Sequence, residues 1–572
     1  MKMTKKQIAA AVSAVVITSA LAVGAGAAYK YSLSDVSSLQ NALVGIGDIE
    51  EMHDANGDGG VNIFDLCTMK NELASGSGEV IESAVPVTEE NVKFQGRYLF
   101  KDNTARLLQS GSAADFIVTG ESASVVLAGD SGINSDKDYR PRYAVFVNGE
   151  LIADKTMDES EETVTLFEGT TSQTAEVRVM MLSEASYGAI GVSAVNVKSS
   201  AAAPVKPAAE NELSIEFIGD SITCAYGVEG ASSSESFKTT TENFSKSYAY
   251  LAAQQLDADY SAVSYSGHGI VSGYSSGDKN SDALVPDYYT LASKYYEYNN
   301  EEWDFSKRTN DVVVINLGTN DINYVTAEFE TRSIEFRDGY VSFLKQIREY
   351  NPEAMIVCTL GTMGGDTLYP MIEEAADIFR EECDERIFCF ESAVQNGTAD
   401  GYGSDWHPSE TTQINCGYIM ADKICQALGI ESSGLGLDAA ADGTYDVALD
   451  EESGSNAAFY VGYDKSFWIN MVVGGDSADD IEAKISGIKL RENSEYCLSF
   501  DYTTSVPTEM PVIVRGTDEY FTSSVSGSSE KQHFEETFTV SNADQAAEIV
   551  FQLGGTDYYN TTLYNVKLVK IS

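Results

Sequence analysis

Ser221 lies in IEFIGDSITCAYG, residues 215–227, where an apolar run breaks off into Gly-Asp-Ser. All three are turn residues, so the triplet alone describes a turn. A serine there becomes a nucleophile only if a base takes its proton, and histidine is the usual base. The chain has four histidines. His53 precedes an Asp-rich loop and His533 lies near the C-terminus. His268 in YSGHGIV and His407 in SDWHPSE share the middle of the chain with Ser221. His407 is followed by Pro408, which starts a helix well, and by the helical pattern SETTQINCGYIMADKICQAL. It is the expected base, and Asp405, two residues earlier, is placed to steady its imidazole. Acyl transfer also needs donors aimed at a developing oxyanion. Gly267 in SGHG offers a main-chain N–H, Asn320 in GTND a side-chain amide, and Ser221 its own N–H. These parts make up an acyl-transfer centre that requires no metal. His268 is read as a rim residue, and Asp220 and Asp321 as loop fasteners. With 88 acidic residues, isolated carboxylate pairs make no case for glycoside chemistry.

The elements that must position these residues lie in 212–430. Five segments, SIEFIG, SAVSYSG, DVVVINLG, AMIVCTLG and RIFCFE, alternate with helical patterns. Nearly continuous apolar runs predict strands buried on both faces, hence a parallel sheet covered by helices. Sites in such sheets lie at the carboxyl ends of the strands. Ser221 follows the first strand, Gly267 the second, Asn320 the third and His407 the last.

Those four residues, in that order at strand ends, resemble the SGNH hydrolases. That resemblance implies a central α/β/α, flavodoxin-like parallel-sheet domain. GDSITCAYGVEG with DWHPS, preceded by a β-sandwich, is similar to carbohydrate esterase family 2 over 91–430. Most SGNH hydrolases place an Asp three residues before the His, but here that position is Ser404 and the Asp is Asp405. In family 2 some members use the Asp side chain and others only its backbone carbonyl. The resemblance implies a serine esterase that removes O-acetyl groups from acetylated xylan or glucomannan through an acetyl-serine intermediate. It also implies Trp406 as a sugar-stacking residue and no catalytic cofactor. The alternatives are an SGNH lipase or thioesterase, disfavoured by Ser-, Gly- and Tyr-rich loops, and a non-catalytic carbohydrate-binding protein.

The remaining chain is multidomain. Residues 1–28 read as a signal peptide, with Lys2, Lys5 and Lys6 before an apolar run and Ala25-Gly26-Ala27 at the expected cleavage site. The alternative is an uncleaved membrane anchor, since the apolar run is almost long enough to span. Residues 29–75 hold a repeat, DVSSLQNAL (35–43) and DLCTMKNEL (65–73), offset by 30 residues. Before the second copy stands DANGDGGVNIFD. It offers Asp54, Asn56, Asp58, Gly60, Asn62 and Asp65 at calcium-loop positions 1, 3, 5, 7, 9 and 12, with Gly59 at the sharp turn. This small helical calcium-loop module resembles a dockerin, which implies a cohesin on a scaffold protein as partner and extracellular attachment. Stretches 76–90, 199–211 and 431–443 are rich in small residues and read as linkers. Residues 91–198 alternate like a β-sandwich (jelly roll), with a hairpin at Asn148-Gly149. Residues 444–572 read as a second β-sandwich. It resembles carbohydrate-binding modules, with Tyr463, Trp468 and Tyr520 as candidates. A formal charge of -51 repels phosphate backbones and anionic lipid, so nucleic-acid and membrane-surface roles are disfavoured. Eight scattered cysteines lack metal-ligand spacing and read as free thiols.

Overall fold

The computed structural model describes residues 33–43, 61–75, 80–462 and 464–572. The expected signal peptide 1–28 and Tyr463 lie outside them, as do Asp54, Asn56, Asp58, Gly59 and Gly60 of the expected calcium loop. Of that loop, Asn62 donates its main-chain N–H to the Asp65 carboxylate at 2.7 Å. The repeat forms two helices, Leu33–Leu43 and Ile63–Ser75. Val36 and Leu39 pack with Leu66 and Met69, the i, i+3 pairs that one helix face presents. Among the described residues no helix is long and apolar enough to cross a membrane.

The described residues divide into two compact units, those up to 395 with 401–413, and 396–400 with those from 414 onward. The first unit contains an antiparallel sandwich of two six-stranded sheets. Its core includes Phe116, Val125, Tyr143, Val179 and Val192. Asn148 and Gly149 both have positive φ, which a two-residue primed hairpin turn requires. Two stretches expected as linkers carry strands. Ile81–Pro86 pairs antiparallel with Ala194–Ser199, and Val205–Pro207 pairs with Phe116–Val118. The composition misleads because every non-proline residue carries the main-chain donor and acceptor that an edge strand needs. The prolines sit at the strand ends, where a missing N–H is tolerated.

The same unit holds a five-stranded parallel sheet. Its spatial order is Ala258–Ser264, Leu213–Gly219, Val312–Asn316, Met355–Leu360, Ile387–Glu391. All residues of the strands Ala258–Ser264 and Val312–Asn316 are buried, as strands covered on both faces must be. Numbered along the chain the order is 2-1-3-4-5, so connections leave the first strand in opposite directions. That switch point opens a crevice at its carboxyl end. The helix Phe329–Tyr350 covers the sheet with Phe336, Tyr340, Phe343, Leu344 and Ile347, one stripe at helical spacing.

The second unit is a sandwich of two five-stranded antiparallel sheets. Phe467, Ile469, Phe500, Ile549, Phe551 and Leu568 lie in its core. The expected linker 431–443 runs along it, with Gly436 and Ala439 donating to the carbonyls of Lys570 and Leu568.

Candidate active site

The first strand of the parallel sheet ends at Gly219, where a Cβ would stand 2.0 Å from Thr223 Oγ1. Asp220 caps the short helix Ser221–Cys224, accepting the Ile222 N–H at 3.0 Å. Ser221 therefore opens the turn that follows the carboxyl end of the strand. Its Oγ lies 2.9 Å from His407 Nε2. His407 Nδ1 lies 3.2 Å from the main-chain oxygen of Asp405. A carbonyl only accepts, so Nδ1 carries the proton and Nε2 presents its lone pair to Ser221. Burial holds the His407 pKa below the usual imidazole range, so the ring is a neutral base at neutral pH.

Asp405 does not orient His407 through its carboxylate, as a side-chain role would require. Its Oδ2 accepts the Tyr226 hydroxyl and the Phe237 N–H, each at 3.0 Å. Asp405 and Trp406 both have left-handed backbones, φ 50° and 66°. Two such residues in succession turn the Asp405 carbonyl toward the imidazole, a conformation that persists only when surroundings hold it. Those holds are visible. The Asp405 N–H donates to the Glu235 carbonyl at 3.1 Å, and Gln395 Nε2 donates to the Trp406 carbonyl at 3.0 Å. Tyr226 stacks between Phe237 and His407, with centroids 4.1 Å from each. Trp406 is 61% exposed beside Tyr402, at a centroid distance of 5.2 Å.

The second and third strand ends meet the loop of Ser221 through Asn320. Its Nδ2 donates to Asp220 Oδ2 at 3.1 Å and to the His268 carbonyl at 2.9 Å. Gly267 has φ 77°, and a Cβ there would meet nothing within 4 Å, so the glycine faces open space. Asp220 and Asp321 are fully buried, and desolvation pushes them up to about 7 and about 6. Asp321 accepts the N–H groups of Ile270, Val271 and Ser272, which fixes the loop after Gly267. His268 is not a rim residue. It is 4% exposed, with Nδ1 on the Ser266 carbonyl and Nε2 on Lys294 Nζ.

Among the described residues, one cluster brings possible metal-ligand atoms within 4.8 Å of one another: Glu184, Cys224 and Glu242, all buried. Its members already hold each other. Glu184 Oε2 accepts the Ser266 N–H and the Cys224 thiol, and Glu242 Oε2 accepts the Glu184 N–H. Sequence reasoning did not single out Tyr226, Glu184 or Lys294. Tyr226 stands five residues after Ser221, and Lys294 is the one cation in the Tyr-rich run SKYYEYNN, which are the only signals the chain offers.

Residues 215–420 match the family model described as GDSL-like Lipase/Acylhydrolase. Residues 94–207 match the model described as Carbohydrate esterase 2 N-terminal. The chain is 32% identical over 341 residues to Cellulase/esterase CelE of Acetivibrio thermocellus, covering 58% of this chain and 38% of that protein. It is 32% identical over 228 residues to an Acetylxylan esterase / glucomannan deacetylase of Cellvibrio japonicus, covering 38% of this chain and 60% of that protein. It thus spans less than two thirds of the length of either relative. A solved family two carbohydrate esterase from Clostridium thermocellum, in complex with cellohexaose, is similar with a TM-score of 0.51 and 29% identity. That match covers 59% of this chain and 99% of the other. Residues 94–207 and 215–420 are thus similar, in turn, to the N-terminal part of family 2 carbohydrate esterases and to the GDSL-like acylhydrolases.

Proposed function

We propose that this chain is a serine esterase that removes O-acetyl groups from plant cell-wall polysaccharides, acetylated xylan or glucomannan. The observation that carries the reading is the 2.9 Å contact between Ser221 Oγ and a neutral His407 Nε2. His407 takes the hydroxyl proton while Oγ attacks the acetyl carbonyl. The Asp405 carbonyl steadies the imidazolium that forms. The oxyanion is received by the N–H groups of Ser221 and Gly267, and the Asn320 amide joins them by giving up one of its two hydrogen bonds, to Asp220 or to the His268 carbonyl. The sugar oxygen leaves with the proton from His407, and water then releases acetate from acetyl-Ser221 by the same path. The exposed Trp406 offers an aromatic face to a sugar ring beside the base. The relatives named for acetylxylan and glucomannan support the substrate class. Acetate release from the two acetylated polymers, by the full chain and by Ser221→Ala, tests it. Release by the chain and none by the variant is expected. Equal release by both would refute the serine mechanism. Trp406→Ala is expected to raise KM for polymer and leave kcat on a small acetyl ester unchanged.

The same proposal extends to the flanking parts. Residues 1–28 are taken as a secretion signal. Residues 29–75 are taken as a dockerin-like module that binds calcium and engages a cohesin. The packed helix pair and the Asn62–Asp65 hydrogen bond support the latter. Calorimetric titration of the full chain with calcium is expected to show one site that Asp58→Ala abolishes. No heat at micromolar calcium would remove the module from this class. For the C-terminal sandwich, carbohydrate binding is supported by Tyr460 and Trp468. They are register partners on adjacent strands, 61% and 54% exposed. Tyr520 is a weaker candidate, since its hydroxyl is held by Asp544 and Thr517.

A further inference from the structure

Gly267 serves an oxyanion only if its N–H faces the cleft, and that N–H belongs to the Ser266–Gly267 peptide. Residues 265–268 form a β-turn closed by the His268 N–H on the Tyr265 carbonyl at 3.2 Å. Gly267 is its third residue, and φ 77° is the left-handed value that a type II turn demands there. In a trans peptide the C=O and N–H point opposite ways, so whatever holds the Ser266 carbonyl also aims the Gly267 N–H.

His268 holds it, with Nδ1 2.9 Å from Ser266 O. On the other side of the ring, Nε2 is 2.8 Å from Lys294 Nζ. An ammonium only donates and a carbonyl only accepts, so one tautomer satisfies both contacts. Nδ1 carries the proton and Nε2 accepts from Lys294. The surroundings lock that state. Lys294 lies 5.5 Å from the ring centroids of both Tyr265 and Tyr288. Burial and the Lys294 charge push His268 down to about 4, so the ring stays neutral at neutral pH. The Ser266 N–H is fixed as well, donating to the Glu184 carboxylate of the sandwich at 2.8 Å.

We propose that Lys294 and His268 are positioning residues for acyl transfer, a hydrogen-bond relay that ends at the oxyanion donor. Lys294 Nζ–H donates to His268 Nε2, His268 Nδ1–H donates to the Ser266 carbonyl, and the Gly267 N–H emerges aimed and polarised. Successive hydrogen bonds strengthen one another in a low-dielectric interior. A donor fixed before the reaction pays no reorganisation when the oxyanion forms. The proposal rests on the esterase reading of Ser221 but not on which ester is cleaved.

The test uses the full chain with 15N-labelled histidine, and the variants Lys294→Met, His268→Leu and His268→Asn. Kinetics are read on p-nitrophenyl acetate, and the rate of Ser221 phosphonylation by a fluorophosphonate is read beside them. The wild-type His268 resonance is expected to report a neutral Nδ1–H tautomer between about pH 5 and pH 8. Lys294→Met is expected to lower kcat and phosphonylation together by roughly tenfold, with KM within about twofold. His268→Leu approaches the ~10²-fold loss that follows removal of an oxyanion donor. His268→Asn, whose amide can donate to Ser266 O, recovers part of it. An Nε2–H tautomer, or a His268 that titrates between about pH 6 and pH 7, would overturn the relay. So would folded variants with wild-type kcat, or variants that change KM alone. Variants that fail to fold leave the wild-type tautomer to decide. If polysaccharide deacetylation is absent while these outcomes hold, the substrate class falls and the relay stands.

Discussion

The proposed base, His407, leans on the Asp405 carbonyl instead of a carboxylate, which has a specific kinetic consequence. Both contacts to the Asp405 side chain fall on Oδ2, from Tyr226 and Phe237. An asparagine oxygen can accept both. Asp405→Asn is therefore expected to keep kcat within about threefold, whereas an amide in place of a true triad carboxylate costs about 10⁴-fold. A loss of that size would show that the carboxylate reaches His407 during turnover. The acid limb of kcat/KM is expected to have a midpoint below 6.5, because burial disfavours protonated His407 and keeps the base competent in mild acid. Ser221 and His407 were legible in the sequence because a strand-end serine met very few histidines. The manner of orienting His407 was not legible. It depends on two left-handed residues and on partners about 170 positions away, and no local spacing encodes either.

At the scale of elements, three strand ends are tied into one edge by Asp220, Asn320 and the His268 carbonyl. The periodicity of the apolar runs predicts these strands, and their sequence predicts that their loops share an edge. It does not reveal that buried carboxylates fasten the loops, since Asp is common in any turn. The fastening carries a pH signature. Folded Asp220 keeps its proton up to about 7, against an ordinary aspartate value of 3.8. Between those values the folded chain binds more protons than the unfolded one, so this group's contribution to stability falls as pH rises. Asp321, held up to about 6, adds a slope of the same sign. Asp220→Asn is expected to flatten the decline of Tm between about pH 4 and pH 7, and to gain on the wild type toward pH 8. Its amide would face the Asn320 amide donor to donor, so kcat is expected to fall by about tenfold or more. An unchanged Tm profile would show that Asp220 is ionised in the folded chain.

Across the first unit, the sandwich and the parallel sheet share buried charge. Arg97 of the sandwich is fully buried, 3.3 Å from Glu216, which is 2% exposed on its side chain. Glu216 lies in the strand that leads to Ser221. Lys93 and Asp259 form a second buried pair at 2.5 Å. Stretch 199–211 reads as a linker because composition describes flexibility, while its strand Val205–Pro207 depends on a distant partner, Phe116–Val118. Removing one member of a buried pair strands the other charge, so Arg97→Ala is expected to cost about 3–5 kcal/mol in urea unfolding. A cost below about 1 kcal/mol would show that water reaches Glu216. The sandwich also supplies Glu184 to the loop of Gly267, so the catalytic edge is built by both parts. The measurement that tests the central claim most directly is acetate release from acetylated xylan and acetylated glucomannan by the full chain beside Ser221→Ala. Release that is present in the chain and lost in the variant is the expected result. No release from either polymer by a folded chain would contradict the deacetylase.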